Sequence, residues 1–206
     1  RWWEYWKMRP GTGDRVNSGG VNIIFSDSNT HFRGKENYRR SGEVDAMRIP
    51  KDAYFAHQVM WDGWIAPDPK GLYLVGHWNY APGTKKDVLV VSAADRVELA
   101  VNGKVQKEAE KLYDFLYRFP AIDFEAGVLT AKSFTKDGKL LNKKELKTTG
   151  EPYKIRLTAQ HGKNGLFADG NDMVLAEVEV LDKNGLRCPL ASNTIDFKLD
   201  GPMDWR

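Results

Sequence analysis

A short polar segment with ligand-binding chemistry, residues 26–31 (SDSNTH), directly follows an apolar run at residues 21–25 (VNIIF). The apolar character of that run predicts a strand buried on both faces, as in parallel sheets, so its end would present these polar side chains together. The carboxylate of Asp27, the amide of Asn29 and the imidazole of His31 could hydrogen-bond the hydroxyls of a ligand there. The alternative is a polar loop in which the same side chains bond to the local backbone.

Composition limits the classes of protein that the chain can represent. Of the 206 residues, 41% are hydrophobic and 29% are charged, and the net charge is +3. No apolar stretch approaches the ~20 residues of a membrane span, and the small net charge gives no indication of nucleic-acid binding. The single cysteine, Cys188, excludes an intrachain disulfide, and the four histidines have no zinc-ligand spacing. We therefore expect no metal and no cofactor.

The elements around the polar segment predict an α/β unit. A helix signal begins at Pro50 and Asp52 and continues through residues 53–61 (AYFAHQVMW). A buried strand followed by a loop and a helix is the order found in α/β proteins. One such unit cannot close a sheet, and a complete (β/α)8 barrel takes about 250 residues. We therefore interpret residues 1–63 as the C-terminal part of a TIM-barrel domain.

After the proline-containing linker at residues 62–70, the residue pattern becomes that of β-strands and turns. Short alternating or apolar runs predict about seven strands, and Asn102-Gly103 and Asp137-Gly138 are hairpin signals. This pattern predicts an Ig-like β-sandwich over residues 64–149. The most clearly defined strands are expected at Leu72–Asn79, Asp87–Ser92, Arg96–Val101, Tyr113–Phe119, Val128–Phe134 and Lys139–Leu146.

A second β-region, residues 150–206, has strand signals at Tyr153–Ala159, Met173–Leu181 and Thr194–Leu199. A whole sandwich needs about seven strands and ~100 residues. The sequence thus predicts a bacterial Ig-like sandwich of which only part is present.

Three stretches together resemble the C-terminal half of glycoside hydrolase family 2, the β-galactosidase-type enzymes. They are SGGVNIIFSDSNTHFRG from residue 18, SGEVDAMRIPKDAYFAHQVMWDGW from residue 41, and LYLVGHWNY with VVSAADRVELAVNGK from residue 72 onward. The stretch at residues 41–61 is the most specific of the three. Residues 155–185 are similar to the bacterial Ig-like modules often attached to these enzymes.

The resemblance implies a retaining hydrolase of β-linked sugars, with β-galactosides as the expected substrates. Such enzymes use two carboxylates about 5–5.5 Å apart. In the family these glutamates lie at the ends of barrel strands 4 and 7, so both would precede Arg1. We therefore expect no catalytic residue in the chain, no turnover by the chain alone, and an extracytoplasmic location, periplasmic or secreted.

The resemblance also gives the polar segment a role as one wall of a sugar site, with Asp27, Asn29 and His31 as candidate substrate-binding residues. Many family members carry Trp at this strand end, where this sequence has residues 25–28 (FSDS), which weakens any stacking role. A carboxylate pair made from Asp27, Glu36, Glu43 or Asp45 is disfavoured, since none has a second carboxylate at a buried strand end.

Several other motifs each have a structural and a ligand-binding interpretation. Trp78 in HWN could stack on a glycan, but a strand Trp in a sandwich is more often core. Residues 169–172 (DGND) could indicate a calcium site. The EF-hand spacing is absent, however, so a tight turn is the better prediction. The lysines of residues 139–147 indicate a solvated hairpin rather than an acidic partner, and Cys188 is expected to be an inert thiol.

A rival hypothesis from another class is a non-catalytic carbohydrate-binding or adhesion array of Ig-like modules. In that case residues 1–63 would be an unrelated helical cap. The stretch at residues 41–61 argues most strongly against it.

Overall fold

The structure, a computed structural model, describes residue 11 and residues 24–28, 39–65, 70–167 and 169–204. The described residues are mostly β-strand and divide into two compact units, Arg1–Leu146 and Lys147–Arg206. One helix lies among them, α1 (Asp52–Ile65), with Asp52 as the acidic residue of its first turn. A negative charge at this position is favourable because it faces the positive end of the helix dipole.

Ten strands follow the helix among the described residues. The first eight belong largely to the first unit, and the last two form a separate two-stranded sheet. Their bounds are β1 Leu72–Leu74, β2 Lys85–Ser92, β3 Arg96–Val101, β4 Lys104–Val105, β5 Glu110–Tyr113, β6 Leu116–Asp123, β7 Val128–Phe134, β8 Leu140–Lys147, β9 Lys154–Gln160 and β10 Leu175–Leu181.

Two four-stranded sheets of the first unit share one hydrophobic core. Their strand orders are β1-β2-β6-β5 and β4-β3-β7-β8. Val90 and Phe119 enter the core from the first sheet, and Leu99 and Leu129 enter it from the second. Alternation along each strand sends every second side chain inward: in β7 the burial pattern alternates strictly between intermediate and buried. The expectation of a β-sandwich here is confirmed.

The hairpin predicted at Asn102-Gly103 is present between β3 and β4. Val101 pairs with Lys104, so the loop has two residues, and both have positive φ, 48° and 83°. Two-residue loops of this kind match the right-handed twist of the flanking strands. The Asn102 side chain also accepts a hydrogen bond from the Val128 amide at 2.8 Å, which ties the loop to the start of β7.

Other strand predictions needed correction. The expected strand Tyr113–Phe119 is split by a two-residue turn between Tyr113 and Leu116, because the turn-favouring Asp114 is followed by Phe115, which is buried against helix α1. The expected strand Leu72–Asn79 ends at Leu74, before Gly76 adopts a φ of 84°.

The expected strand Thr194–Leu199 is wrong, since the structure assigns no strand there. Its apolar residues alternate, yet Phe197 is 54% exposed. Alternation describes one face of a strand, but a strand also needs a hydrogen-bonded neighbour, which the sequence pattern cannot supply.

Helix α1 packs on the edge of the first sheet through one aromatic residue and a small apolar cluster. The Tyr73 hydroxyl donates to Asp52 Oδ1 at 2.6 Å, and the Tyr73 ring stacks on Phe55 with centroids 5.0 Å apart. Burial first, and then the hydrogen bond and charge of Asp52, raise the pKa of Tyr73 far above its usual range. Val59 of the helix packs with Val91 and Phe115 of the sandwich.

The second unit contains the antiparallel pair β9–β10, in register from Lys154 opposite Leu181 to Gln160 opposite Leu175. Beside it, the buried carboxylate of Asp182 accepts hydrogen bonds from the amides of Gly150, Asn184 and Leu186. These bonds, with Gly150 contributing most, hold the pKa of Asp182 below its usual range.

A core truncation tests the shared core of the two sheets. Leu99 is fully buried, so Leu99→Ala should lower the free energy of unfolding by about 2–5 kcal/mol through lost burial and a residual cavity. Val105→Ala is the matched control, because Val105 is 56% exposed on the neighbouring strand. Urea denaturation measures both, and equal losses would contradict the described packing.

The contact between the helix and the sandwich is tested by removing one hydroxyl. Tyr73→Phe keeps the ring but deletes the bond to Asp52 and should cost about 1–2 kcal/mol of stability. Tyr113→Phe, on a tyrosine that is 52% exposed, provides the control. A Tyr73→Phe variant as stable as this control would show that the bond does not hold the helix.

Candidate functional site

The segment that the sequence singles out is partly described. Asp27 lies within the described residues, whereas Asn29 and His31 lie outside them, as does most of the expected strand at residues 21–25. Ser26 forms a parallel bridge with Val44. The segment after the apolar run therefore lies beside the stretch that leads into helix α1.

Asp27 is bound on both carboxylate oxygens. The ammonium of Lys51 lies 2.9 Å from Oδ1 and 3.0 Å from Oδ2, and the amide of Gly42 donates to Oδ1 at 2.8 Å. Lys51 Nζ also donates to the carbonyl of Arg40 at 2.9 Å. The Asp27 side chain is only 14% exposed. The Asp27 carboxylate thus binds two points of the stretch from residue 40 to residue 51, Gly42 and Lys51, and Lys51 links the Arg40 carbonyl to them.

The electrostatics of this cluster favour the ionised carboxylate. The hydrogen bond from Lys51 holds the pKa of Asp27 below its usual range, although burial opposes this effect. The Gly42 amide and the positive charges of Lys51 and Arg40 act in the same direction as the hydrogen bond. An ionised carboxylate accepts hydrogen bonds and cannot donate one, so Asp27 is suited to fixing its neighbours rather than to delivering a proton.

Gly42 allows the two segments to approach closely. A Cβ atom at this position would lie 2.4 Å from the Asp27 nitrogen and 2.6 Å from the Ser26 carbonyl carbon. Both are backbone atoms, which a rotamer change cannot move. Only glycine fits here without displacing the segment that carries Asp27.

The other carboxylates considered from the sequence are also engaged. Glu43 Oε2 lies 2.8 Å from His57 Nδ1, and Glu43 is 12% exposed. Asp45 Oδ1 accepts hydrogen bonds from the amides of Met47 and Ile49 and so caps the turn before the helix. Glu43 and Asp45 are therefore loop and helix-entry residues, as expected. Glu36 lies outside the described residues.

Sequence reasoning missed two partners. The sequence patterns reveal neither Lys51 as the partner of Asp27 nor the pairing of Glu43 with His57. Both involve residues far apart along the chain, 24 positions for Asp27 and Lys51. One sequence signal does point to a partner for Lys51. It is a basic residue directly before a helix start, where acidic residues are favoured.

The remaining sequence candidates have structural roles. Trp78 is core, as expected: it is 1% exposed, and its indole nitrogen donates to the Glu125 carbonyl at 3.0 Å. The tight turn after residue 168 is also confirmed, because Asp169 Oδ1 accepts the amides of Asn171 and Asp172. Cys188 is a buried thiol.

Two further properties concern only the part of the chain that the structure describes. Within it, no group of three or more His, Cys, Asp and Glu side chains is arranged to hold a metal ion. Within the same residues, no helix has the length and apolar character needed to cross a membrane.

Comparison with known proteins places this geometry in context. Residues 83–142 match the domain of unknown function DUF4982. A β-glucuronidase of Formosa agariphila is 43% identical over 192 residues, which are 92% of this chain and 19% of that protein. The β-galactosidase BoGH2A of Bacteroides ovatus is 40% identical over 162 residues, 78% of this chain and 18% of that protein.

A solved structure gives the same result at the level of the fold. The structure of a β-glucuronidase from glycoside hydrolase family 2 superposes with a TM-score of 0.77 at 39% identity, covering 92% of this chain and 19% of the other. The chain spans about a fifth of the length of the relatives it matches. These matches identify the chain as a homologue of part of a glycoside hydrolase family 2 enzyme.

Proposed function

We propose that the chain is part of a retaining glycosidase that cleaves β-linked sugars. The observation that carries this proposal is the 43% identity to a β-glucuronidase over 92% of the chain. A second match, to a β-galactosidase, covers 78% of the chain. Both relatives are named as hydrolases of β-linked sugars, so the type of linkage is the property they share. A match of this extent to enzymes disfavours the adhesion-array hypothesis.

The domain roles belong to the same proposal. Residues 1–63 form the end of a TIM barrel, residues 64–149 an Ig-like sandwich, and residues 150–206 part of a second one. The parallel bridge between Ser26 and Val44, followed by helix α1, supports the α/β character of the first region. The two catalytic glutamates belong to segments outside this chain, and the enzyme works outside the cytoplasm.

Two substrates are candidates. The family resemblance favours a β-galactoside, and the identity of 43% to a β-glucuronidase favours a β-glucuronide. The two sugars differ in configuration at C4 and at the exocyclic carbon, where a glucuronide carries a carboxylate. Residues of the barrel outside this chain select between them.

The Asp27 cluster suggests how the chain serves such a site. Asp27 has its oxygens bound to Lys51 and to the Gly42 amide, so it acts as a positioning residue. It holds the start of the segment that contains Asn29 and His31. Asn29 and His31 remain the candidates for contact with the sugar hydroxyls.

Turnover assays test the enzyme proposal. The full polypeptide that contains this chain should hydrolyse an aryl β-galactoside or an aryl β-glucuronide and leave the α-linked isomers intact. The 206-residue chain alone should release no product, because the catalytic carboxylates are missing. Failure of the full polypeptide on every β-glycoside would refute the glycosidase proposal. Clear turnover by the chain alone would refute the location of the glutamates.

The role of Asp27 is tested by the pH dependence of stability. Its pKa is lowered in the folded state, so its contribution is present above the unfolded value of about 3.9 and is lost as the pH falls through the lower folded value. Unfolding of the chain should become easier as the pH falls below the unfolded value of about 3.9, and Asp27→Asn should flatten this dependence.

A double variant provides the control for this titration. In a Lys51→Met background the ion pair is already absent, so Asp27→Asn should change the pH dependence much less. An equal effect of Asp27→Asn in both backgrounds would show that the pairing with Lys51 does not cause the lowered pKa.

A further inference from the structure

A cleft of about 760 Å³ opens in the first sandwich, away from the Asp27 cluster. It lies among the loop that follows β1, strand β2, and single residues of β6 and β7. Ligand sites typically occupy about 300–1,000 Å³, so the volume is sufficient for a small saccharide. Part of the lining falls within residues 83–142, the region that matches a domain of unknown function.

One wall of the cleft is aromatic. The rings of His77 and Tyr80 are stacked with centroids 4.7 Å apart. Tyr80 also meets the edges of Trp78 and Phe124, at 6.0 and 5.8 Å, and these contacts hold its position. Flat aromatic surfaces with a polar edge suit sugars, which have an apolar C–H face and a rim of hydroxyls.

Charged side chains complete the lining. Lys85 is paired with Asp123 at 3.0 Å, and Arg118 lies 3.2 Å from Glu110 and 3.7 Å from Asp87. These charges balance one another. Lys86 differs, because the contact that the structure gives its ammonium is with the neutral ring of Tyr80, 5.5 Å from the centroid. The positive charge of Lys86 is therefore available to an anionic group in the cleft.

The guanidinium of Arg118 lines the cleft within ion-pair distance of Glu110 and Asp87. Its Nε is buried, and despite the nearby Glu110 it lacks a partner with hydrogen-bond geometry. A buried donor without an acceptor carries a desolvation penalty that a ligand oxygen can relieve. In contrast, Asp87 already accepts a hydrogen bond from the Ala121 amide, which fixes this carboxylate beside the cleft.

We propose that this cleft is a second, non-catalytic binding site for an acidic saccharide. Its acidic group, a uronate carboxylate or a sulfate, pairs with Lys86, while its ring packs on the aromatic wall formed by His77 and Tyr80. Arg118 and Asp87 bond to hydroxyls. The acidic character follows from Lys86, and the choice of a saccharide rests on the proposed function. The site would retain the enzyme on an acidic glycan during turnover.

Calorimetric titration of the 206-residue chain tests the site. Three oligosaccharides of equal length serve as probes: oligogalacturonate, a sulfated galacto-oligosaccharide and a neutral galacto-oligosaccharide. We expect binding of at least one acidic probe and much weaker binding of the neutral one. The first two arms identify whether the carboxylate or the sulfate is preferred. Absence of binding by both acidic probes, or equal binding of the neutral one, would overturn the proposal.

Two lysine variants separate specific recognition from general charge attraction. Lys86→Glu should weaken binding of the acidic probe about tenfold, equivalent to about 1.4 kcal/mol. Lys104→Glu makes the same change of charge on exposed strand β4 and should leave affinity unchanged, and Lys86→Arg should restore it. Equal loss in Lys86→Glu and Lys104→Glu would overturn the proposal.

Thermal denaturation confirms that each variant is folded, and Lys86 is exposed, so its replacement should preserve the fold. Because these titrations involve no turnover, they are independent of the glycosidase assay. If the full polypeptide is active but the 206-residue chain binds no saccharide, only the proposed second site is refuted. If the 206-residue chain binds but the full polypeptide is inactive, only the glycosidase proposal is refuted.

Discussion

Two consecutive residues of opposite charge connect the parts of the first unit. Lys51 binds the Asp27 carboxylate at 2.9 Å, and its neighbour Asp52 accepts the Tyr73 hydroxyl at 2.6 Å. One peptide unit therefore links the segment after the apolar run to the edge of the sandwich. Since consecutive Cα atoms are about 3.8 Å apart, these two contacts start from neighbouring points of the backbone. The sandwich edge thus contacts the first turn of the helix directly beside the residue that binds Asp27.

The same arrangement defines what the carboxylate at the end of the apolar run does. An aspartate that follows an apolar run invites a catalytic interpretation, but its oxygens are bound by an ammonium and an amide. The close approach that permits this requires Gly42, since a Cβ there would lie 2.4 Å from the Asp27 nitrogen. The Asp27 carboxylate therefore organises the backbone around it through these contacts.

Local signals in the sequence predicted the fold well, and contacts over long range were invisible to them. Asn102-Gly103 specifies its hairpin because both residues accept positive φ, and the strand at Arg96–Val101 follows from simple alternation. By contrast, the split between Tyr113 and Leu116 depends on Phe115 reaching Val59 of the helix. The engagement of Asp27 depends on a lysine 24 positions away. Neither partner can be read from a single stretch. The alternating run at residues 194–199 shows the converse, a strand-like pattern that forms no strand in the structure.

Trp78 illustrates how a structural residue can create a binding surface beside it. As the indole is 1% exposed and donates to Glu125 across 47 positions of the chain, it anchors the loop after β1 to the end of the sandwich. A loop held at one buried residue must place its neighbours at the surface. His77 and Tyr80 flank that anchor, stack on each other and line the cleft with Lys86. Stacking fixes both rings before a ligand arrives, so binding would cost little additional side-chain entropy. The core interpretation of Trp78 and a saccharide site around it are therefore compatible: burial of the tryptophan is the reason that the adjacent aromatic pair is preorganised.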